Sequence, residues 1–249
     1  MPSGGEQPII AVEQVTIGYG ETVVLENLDF TVPRGEVFAI LGGSGSGKST
    51  VLRHLIGLEV PMRGTILVNG EPPVGGAGAP GYGVLFQSGA LFGSMTLADN
   101  VALPLRKWTD LDGRAIDTIV RSKLRLVGLE GFENHLPAEI SGGMKKRAGI
   151  ARALALDPPL IFLDEPSAGL DPISSVDLDQ LILALNQSLG MTTVIVTHEL
   201  ASIFAVADNC IMVDSEARGI IAHGNPAALR DNSTDPRVRA FFNRRPLAA

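Results

Sequence analysis

The sequence predicts an α/β fold with a parallel-sheet core, an antiparallel β subdomain at its start and an inserted helical subdomain. Three observations carry this. A short apolar run, "EVFAILG", leads into the glycine-rich "GGSGSGKST" and then the helically spaced "KSTVLRHLIGL", which is the order strand, loop, helix. Two further runs, the apolar "PLIFLDE" and the β-branched "MTTVIVTHE", end in polar residues and read as strands buried on both faces of a parallel sheet. Before the first of these, residues 88–157 read as mostly helical, with apolar positions three and four apart in "DLDGRAIDTIVRSKLRLVGL".

The other elements follow in order. "AVEQVTIGYG" and "VVLENLDFTVPRGEVFAIL" alternate apolar and polar residues between turn signals, the pattern of antiparallel strands. "SVDLDQLILALNQSLG" is helical, "CIMVDSEARGIIAHG" reads as a hairpin-type pair, and "DPRVRAFF" as a short helix before a frayed end. The run "GGAGAPGYG", residues 75–83, reads as a flexible loop whose glycines need no ligand to explain them. Residues 1–249 are thus expected to form one domain. Within it, 1–87 and 158–249 make the α/β core with its antiparallel β subdomain and C-terminal tail, and 88–157 the helical subdomain.

With 45% hydrophobic and 19% charged residues over 249 positions, the chain can bury a sizeable core. Its formal net charge of −7 argues against a general nucleic-acid binder, whose affinity comes from Lys and Arg on phosphates. No run approaches the roughly 18–20 uncharged apolar residues of a membrane span, so any membrane link is expected to come through a partner. The start, "MPSGGEQPII", lacks the basic and apolar regions of a signal peptide. The single cysteine, Cys210, lies in the apolar "NCIMV" and is expected to be buried and inert, which fits a reducing, cytosolic setting.

Gly42 to Ser49 match G-x-x-x-x-G-K-[ST]. Over Gly42, Gly43, Ser44, Gly45, Ser46 and Gly47, successive backbone N–H groups converge on a β-phosphate, and the following helix adds its positive end. Lys48 reaches the β- and γ-phosphates, the Ser49 hydroxyl suits Mg2+, and Thr50 is a donor for the α-phosphate. A glycine-rich turn that binds nothing has the same composition, but its position between a buried strand and a helix favours the phosphate loop. Asp164 ends the strand "LIFLD" at the edge where ligands bind open α/β sheets, placed to hold Mg2+ through water. Glu165 beside it is the candidate to polarise an attacking water. His198 also follows a strand, where a lone histidine is more often structural than catalytic. Gln87, after "GVLF", suits Mg2+, water or a turn equally well.

The segment "ISGGMKKRAGIARALALDPPLIFLDEPSAGLD" resembles the ATP-binding cassette (ABC) ATPases, and the resemblance extends over almost the whole chain. It implies a P-loop NTPase with a RecA-like core that binds ATP and Mg2+ and hydrolyses the nucleotide. Ser141, Gly142 and Gly143 match the family signature, and "SAGLD" brings Asp171 into the nucleotide site. Gln87 and His198 fall at catalytic positions, with Gln87 also on Mg2+, and Tyr19 where an aromatic ring stacks on adenine. The resemblance further implies that Ser141, Gly142 and Gly143 act in trans on the ATP of a second cassette, so that the working unit is a homodimer.

"QSGALFGSMTLADNVALPL" is apolar for a surface segment. Leu91, Phe92, Met95, Leu97, Val101 and Leu103 are candidates to face a partner, and they equally suit the helical subdomain's own core. In ABC transporters this region receives the coupling helix of the membrane permease, which implies docking at Leu91, Phe92 and Met95. "LFQSGALF", "LADNVALPL", "SGGM" in place of the commoner "SGGQ", and "DPRVRAFF" are similar to the MlaF-type ATPases of MCE-associated phospholipid transport. That resemblance implies an integral membrane permease of the MlaE type, often a STAS-domain subunit of the MlaB type, and an MCE lipid-binding protein. The chain would then sit peripherally on the cytoplasmic face of the inner membrane. An ABC ATPase for a polar solute, or a soluble non-transport ABC ATPase, is the alternative.

Overall fold

Two sheets organise the chain. The computed structural model describes residues 7–73 and 79–244, so part of the expected 75–83 loop (75–78) and the tail from 245 onward lie outside the described residues. β1 (Ile10–Tyr19) pairs antiparallel with β2 (Thr22–Val32) and with β4 (Arg63–Val68), giving a three-stranded sheet in the order β2-β1-β4. Between Tyr19 and Thr22 only Gly20 and Glu21 make the turn, and Gly20 takes φ 56°, open to glycine at no steric cost.

The second sheet has the order β5-β6-β7-β3-β8-β9. β3 (Val37–Leu41), β5 (Gly83–Leu85), β6 (Leu160–Asp164), β7 (Thr192–Val196) and β8 (Asn209–Asp214) run parallel, and β9 (Gly219–Gly224) closes the edge antiparallel to β8. Every residue of β3 and β7 is buried, and β6 is buried up to Asp164. Their apolar runs, broken in β7 only by the buried Thr192 and Thr193, are therefore the consequence of cover on both faces. Cys210 on β8 is fully buried, donates to the Gly224 carbonyl at 3.1 Å, and is pushed up to about 12 by burial, so the thiol is inert as expected.

Helices α1 (Lys48–Leu55), α5 (Pro172–Leu189), α6 (Leu200–Val206), α7 (Pro226–Asn232) and α8 (Pro236–Phe242) complete the α/β part. Between β5 and β6 run α2 (Leu97–Trp108), α3 (Gly113–Leu126), a 3-10 turn at Pro137–Glu139 and α4 (Gly142–Ala153). The three helices start at Thr96, Asp112 and Ser141, whose side chains accept the amides of Asp99, Ala115 and Met144, each cap stabilising by about 1 kcal/mol. With Thr96 as cap, Leu97, Val101 and Leu105 share one face of α2 and pack with Ile116, Val120 and Leu124 of α3. Leu97 and Val101 are 0% exposed, which removes both from the partner-facing set: they are core of the helical lobe. Leu91 packs against that same core. Among the described residues no helix is long and apolar enough to cross a membrane.

Candidate functional site

Strand register brings the separated motifs to one edge. Leu85 of β5 pairs with Leu163, Asp164 of β6 with Val196, and Ile40 of β3 with the same Val196. The carboxyl ends of β5, β6, β7 and β3 therefore lie nearly level, and just past them come Gln87, Glu165, His198 and the glycine loop. This is the edge at which parallel sheets bind ligands.

The glycine loop is built by steric necessity at two points. Gly42 has φ 152°, and a Cβ there would lie 2.4 Å from Ser46 Oγ and 2.5 Å from the Val213 carbonyl. Gly47 caps α1 at φ 98°, with Leu25 already 3.0 Å from where a Cβ would sit. Gly43 and Gly45 meet nothing within 4 Å, which leaves the loop's open side to an approaching phosphate. Ser46 Oγ is buried without a hydrogen-bond partner, an orphaned donor of the kind an anion oxygen satisfies. Lys48 is buried and its Nζ donates to the carbonyls of Gly42 at 2.9 Å and Gly43 at 2.8 Å. Burial pulls this ammonium below its ordinary value, against the opposing pull of Glu165 and Asp164. Ser44 and Ser49 are exposed. Thr50 is buried, and its hydroxyl shares a hydrogen bond of 3.0 Å with the Tyr19 hydroxyl, so the half-exposed tyrosine ring is tied to the loop helix.

Glu165 sits at φ 45°, a left-handed conformation that costs a non-glycine residue roughly 1–2 kcal/mol. Its backbone is held there from two sides: the amide donates to Val196 O at 2.8 Å, and Lys146 Nζ donates to its carbonyl at 3.0 Å. Such strain concentrates at functional sites. The carboxylate receives Thr197 Oγ1 at 3.2 Å and faces His198 Nδ1 at 2.7 Å. A carboxylate only accepts, so Nδ1 carries the proton and Nε2 of the exposed ring points outward. Asp164 is pushed above the ordinary carboxylate range by burial and then by Glu165, while Lys146 and Lys48 hold it down. Asp164 and Gln87 line one open cavity of about 590 Å3 with Phe86, Ser88, Ala168 and Gly169. Among the described residues no three His, Cys, Asp or Glu side chains gather as a metal cage. Gln87 and Asp164 bring an amide and a carboxylate oxygen to that cavity, the hard donor type that suits Mg2+, while Ser49 is not among its lining residues.

Ser141 Oγ accepts the Met144 amide at 3.2 Å, which leaves its own proton free to donate. Gly142 and Gly143 lie beside Leu170 and Ser174, where α5 begins. The Asp171 carboxylate takes the amides of Ile173 and Ser174 and the Ser174 hydroxyl, so all these bonds go to the first turn of α5. Its expected place in a nucleotide site finds no support within one chain.

Sequence reasoning missed Lys146, whose Nζ also donates to the Gln87 carbonyl at 2.5 Å. Within "MKKR" it reads as one cation of a solvated face. It also missed most of the groove behind Gln87. Tyr82, Val84, Phe92, Leu103, Pro104 and Trp108 line an open cavity of about 450 Å3. Phe92 is 57% exposed there, while Leu91 and the half-buried Met95 are not among the lining residues. Buried Asn100 pins the loop: its side-chain oxygen accepts the Phe92 amide at 2.8 Å and its nitrogen donates to Thr96 O at 2.9 Å.

The profile of the ABC transporter family matches residues 25–168. The "Probable ribonucleotide transport ATP-binding protein mkl" of Mycobacterium tuberculosis is 45% identical over 242 residues, 95% of this chain and 67% of its own length. The intermembrane phospholipid transport system ATP-binding protein MlaF of Escherichia coli (strain K12) is 43% identical over 242 residues, covering 94% and 88%. Among solved structures, cbiO1 from Clostridium perfringens, part of the ABC transporter complex cbiONQ, superposes with a TM-score of 0.82 at 30% identity, over 91% of this chain and 92% of its own. A dimeric ATP-binding cassette in a post-hydrolysis state, bound to ADP and Pi, gives 0.75 at 30% identity over 86% and 97%. A profile spanning more than half of the chain, with relatives aligned along nearly all of it, leaves one assignment: the chain belongs to the ABC transporter family, as an ATP-binding, ATP-hydrolysing subunit.

Proposed function

We propose that two copies of this chain close on two ATP molecules and that hydrolysis drives phospholipid transport through an integral membrane permease docked at the Phe92 groove. The observation that carries the reading is the level row of strand ends bearing Gln87, Asp164, Glu165, His198 and the phosphate loop. The loop amides, the Ser46 hydroxyl and Lys48 bind the phosphates, and the Tyr19 ring offers its face to adenine. Ser49, Gln87 and, through water, Asp164 hold Mg2+, which when bound offsets the charge of the phosphates. Glu165, oriented by Thr197 and His198, takes the proton of the water that attacks the γ-phosphorus, and His198 Nε2 faces the phosphate. ADP and inorganic phosphate are released. Ser141, Gly142 and Gly143 of the second copy supply a hydroxyl and helix-start amides to the same γ-phosphate, and Asp171 stands at that junction. One set of motifs per chain makes a symmetric pair the complete unit.

The phospholipid cargo is supported by the likeness to MlaF, matched over most of that protein's length. It brings with it a permease of the MlaE type, often joined by a STAS-domain subunit of the MlaB type, an MCE lipid-binding protein and a place on the cytoplasmic face of the inner membrane. The name of mkl supports a second reading, a ribonucleotide or similar polar cargo, from a protein of which 67% is matched. Purifying the tagged chain from gently solubilised native membranes, with protein and lipid mass spectrometry, decides between them. A permease with an MCE protein and bound phospholipid is the expected result. A permease carrying nucleotides overturns the cargo, and no membrane protein, where a control transporter survives, overturns the transport role.

In the same preparation Phe92→Glu is expected to reduce permease recovery at least tenfold, about 1.4 kcal/mol, because the exposed apolar ring is lost and a hydrated carboxylate takes its place in a groove that is mainly apolar, Lys107 and Arg152 aside. Phe92 is exposed in the isolated chain, so folding stability should move by no more than about 0.5 kcal/mol. Undiminished recovery removes Phe92 from the docking surface.

A further inference from the structure

Three residues of α4, each three apart, meet the segment that carries Gln87. Lys146 Nζ donates to Gln87 O at 2.5 Å and to Glu165 O at 3.0 Å. Gly149 comes so near that a Cβ would lie 2.5 Å from Leu85 Cδ1 and 3.2 Å from the Gly89 carbonyl. The Arg152 guanidinium donates to Ala90 O at 2.7 Å and Gly89 O at 3.3 Å. Positions i, i+3 and i+6 keep to one side of a helix, so this side of α4 is fitted against 85–90 along its length.

Lys146 is 6% exposed. Burying an ammonium is costly, and an apolar side chain of similar length would fill the space without that cost. The charge is satisfied by two main-chain carbonyls from different strand ends, past β5 and past β6, through charge-assisted bonds that shorten and strengthen relative to neutral ones. Helix α4 begins only a few residues earlier, about 7 Å along the axis at 1.5 Å per residue, with Ser141 as its cap. A hydrogen-bonded helix transmits a displacement at Lys146 to its start.

We propose that Lys146 is a positioning residue that ties the Gln87 and Glu165 loops to α4, so that ATP at the chain's own phosphate loop sets the place of the Ser141–Gly143 helix start offered to the second copy. This rests on the two-copy reading given above. Binding in cis and closure in trans then become one event, and neither Gln87 nor Glu165 moves without moving the signature.

The test is ATP-driven dimerisation of the Glu165→Gln chain, read by sedimentation, beside the ATP affinity of the monomer, read with a fluorescent ATP analogue. Glu165→Gln leaves both carbonyls that Lys146 contacts. Adding Lys146→Met is expected to weaken the dimer at least about tenfold while ATP affinity changes less than about threefold. Adding Lys146→Arg instead, which keeps the charge and several donors, is expected to restore dimerisation to within about threefold. Gly149→Ala, which leaves Lys146 in place and sets a methyl group against the Leu85 side chain and the Gly89 carbonyl, is expected to weaken the dimer by a smaller factor, and it carries the test if Lys146→Met does not fold. An unweakened Lys146→Met dimer overturns the proposal, as does a parallel loss of ATP affinity, which would make Lys146 part of the binding site. A Glu165→Gln chain that stays monomeric in ATP overturns the two-copy reading, and the Lys146 role with it.

Discussion

Glu165→Gln is expected to lower ATP turnover by about a thousandfold while leaving ATP bound, a loss of roughly 4 kcal/mol in transition-state stabilisation. The substitution keeps the shape of the side chain and its Cβ, so the left-handed backbone at φ 45° is no more strained than before. It also keeps the main-chain bonds to Val196 and Lys146. What it removes is an acceptor with enough basicity to take a proton from water. The amide oxygen still receives His198 Nδ1–H, but the amide nitrogen cannot accept from Thr197 as the second carboxylate oxygen does now. Losing one negative charge beside the phosphate site also relieves repulsion of ATP, so the ATP-bound pair is expected to persist. Steady-state turnover and the nucleotide retained after gel filtration measure the two effects separately. A rate near that of the parent removes Glu165 as the base. Loss of nucleotide would mean that the carboxylate holds the site together rather than acting on water.

The parts of this site that the sequence made legible are those where several local signals coincide. An apolar strand, a glycine loop and a helix period meet at 37–55, and the glycine needed at position 42 is enforced by contact with Ser46 and Val213. Asp164 and Glu165 were readable because a buried parallel strand turns polar only at its end. Lys146 was not, because helical periodicity gives a face without saying what lies against it. Two carbonyls some 19 and 59 positions away make it an interior residue. The apolar 88–105 segment was ambiguous for a related reason. Its composition does not separate Phe92, which is exposed, from Leu97 and Val101, which are core. Thr96 followed by Asp99 marks the helix start, and the i, i+4, i+8 phase from Leu97 divides the set correctly. The short β4, α6 and α7 left little trace, since six or seven residues span fewer than two helical turns or carry too few alternations to stand out. In α7 the cap at Asn225 followed by Pro226 was the one usable sign.

Lys48→Ala is expected to fail one step earlier, raising the dissociation constant for ATP by roughly a hundred- to a thousandfold. A hydrogen bond to a charged group contributes about 1.5–3 kcal/mol, and a lysine bridging two phosphates makes two of them, of which part is offset by the donors it gives up. Those donors are already engaged: Nζ serves the carbonyls of Gly42 and Gly43. Phosphate binding therefore exchanges two neutral acceptors for charged ones rather than filling an idle ammonium, which is why the lower range applies. The exchange also accounts for how the cation is tolerated in a buried position, where desolvation pulls it below its ordinary value and only Glu165 and Asp164 oppose that. Calorimetric titration of ATP into the isolated chain measures the constant without hydrolysis or partners intervening. Affinity within threefold of the parent would assign the phosphates to the loop amides and Ser46 alone. Loss of affinity in Lys48→Ala together with its retention in Glu165→Gln would separate binding from water activation. The two residues stand past the ends of β3 and β6, with β7 between them, yet act at different steps, because one meets the phosphates with a charge and the other meets the water with a base.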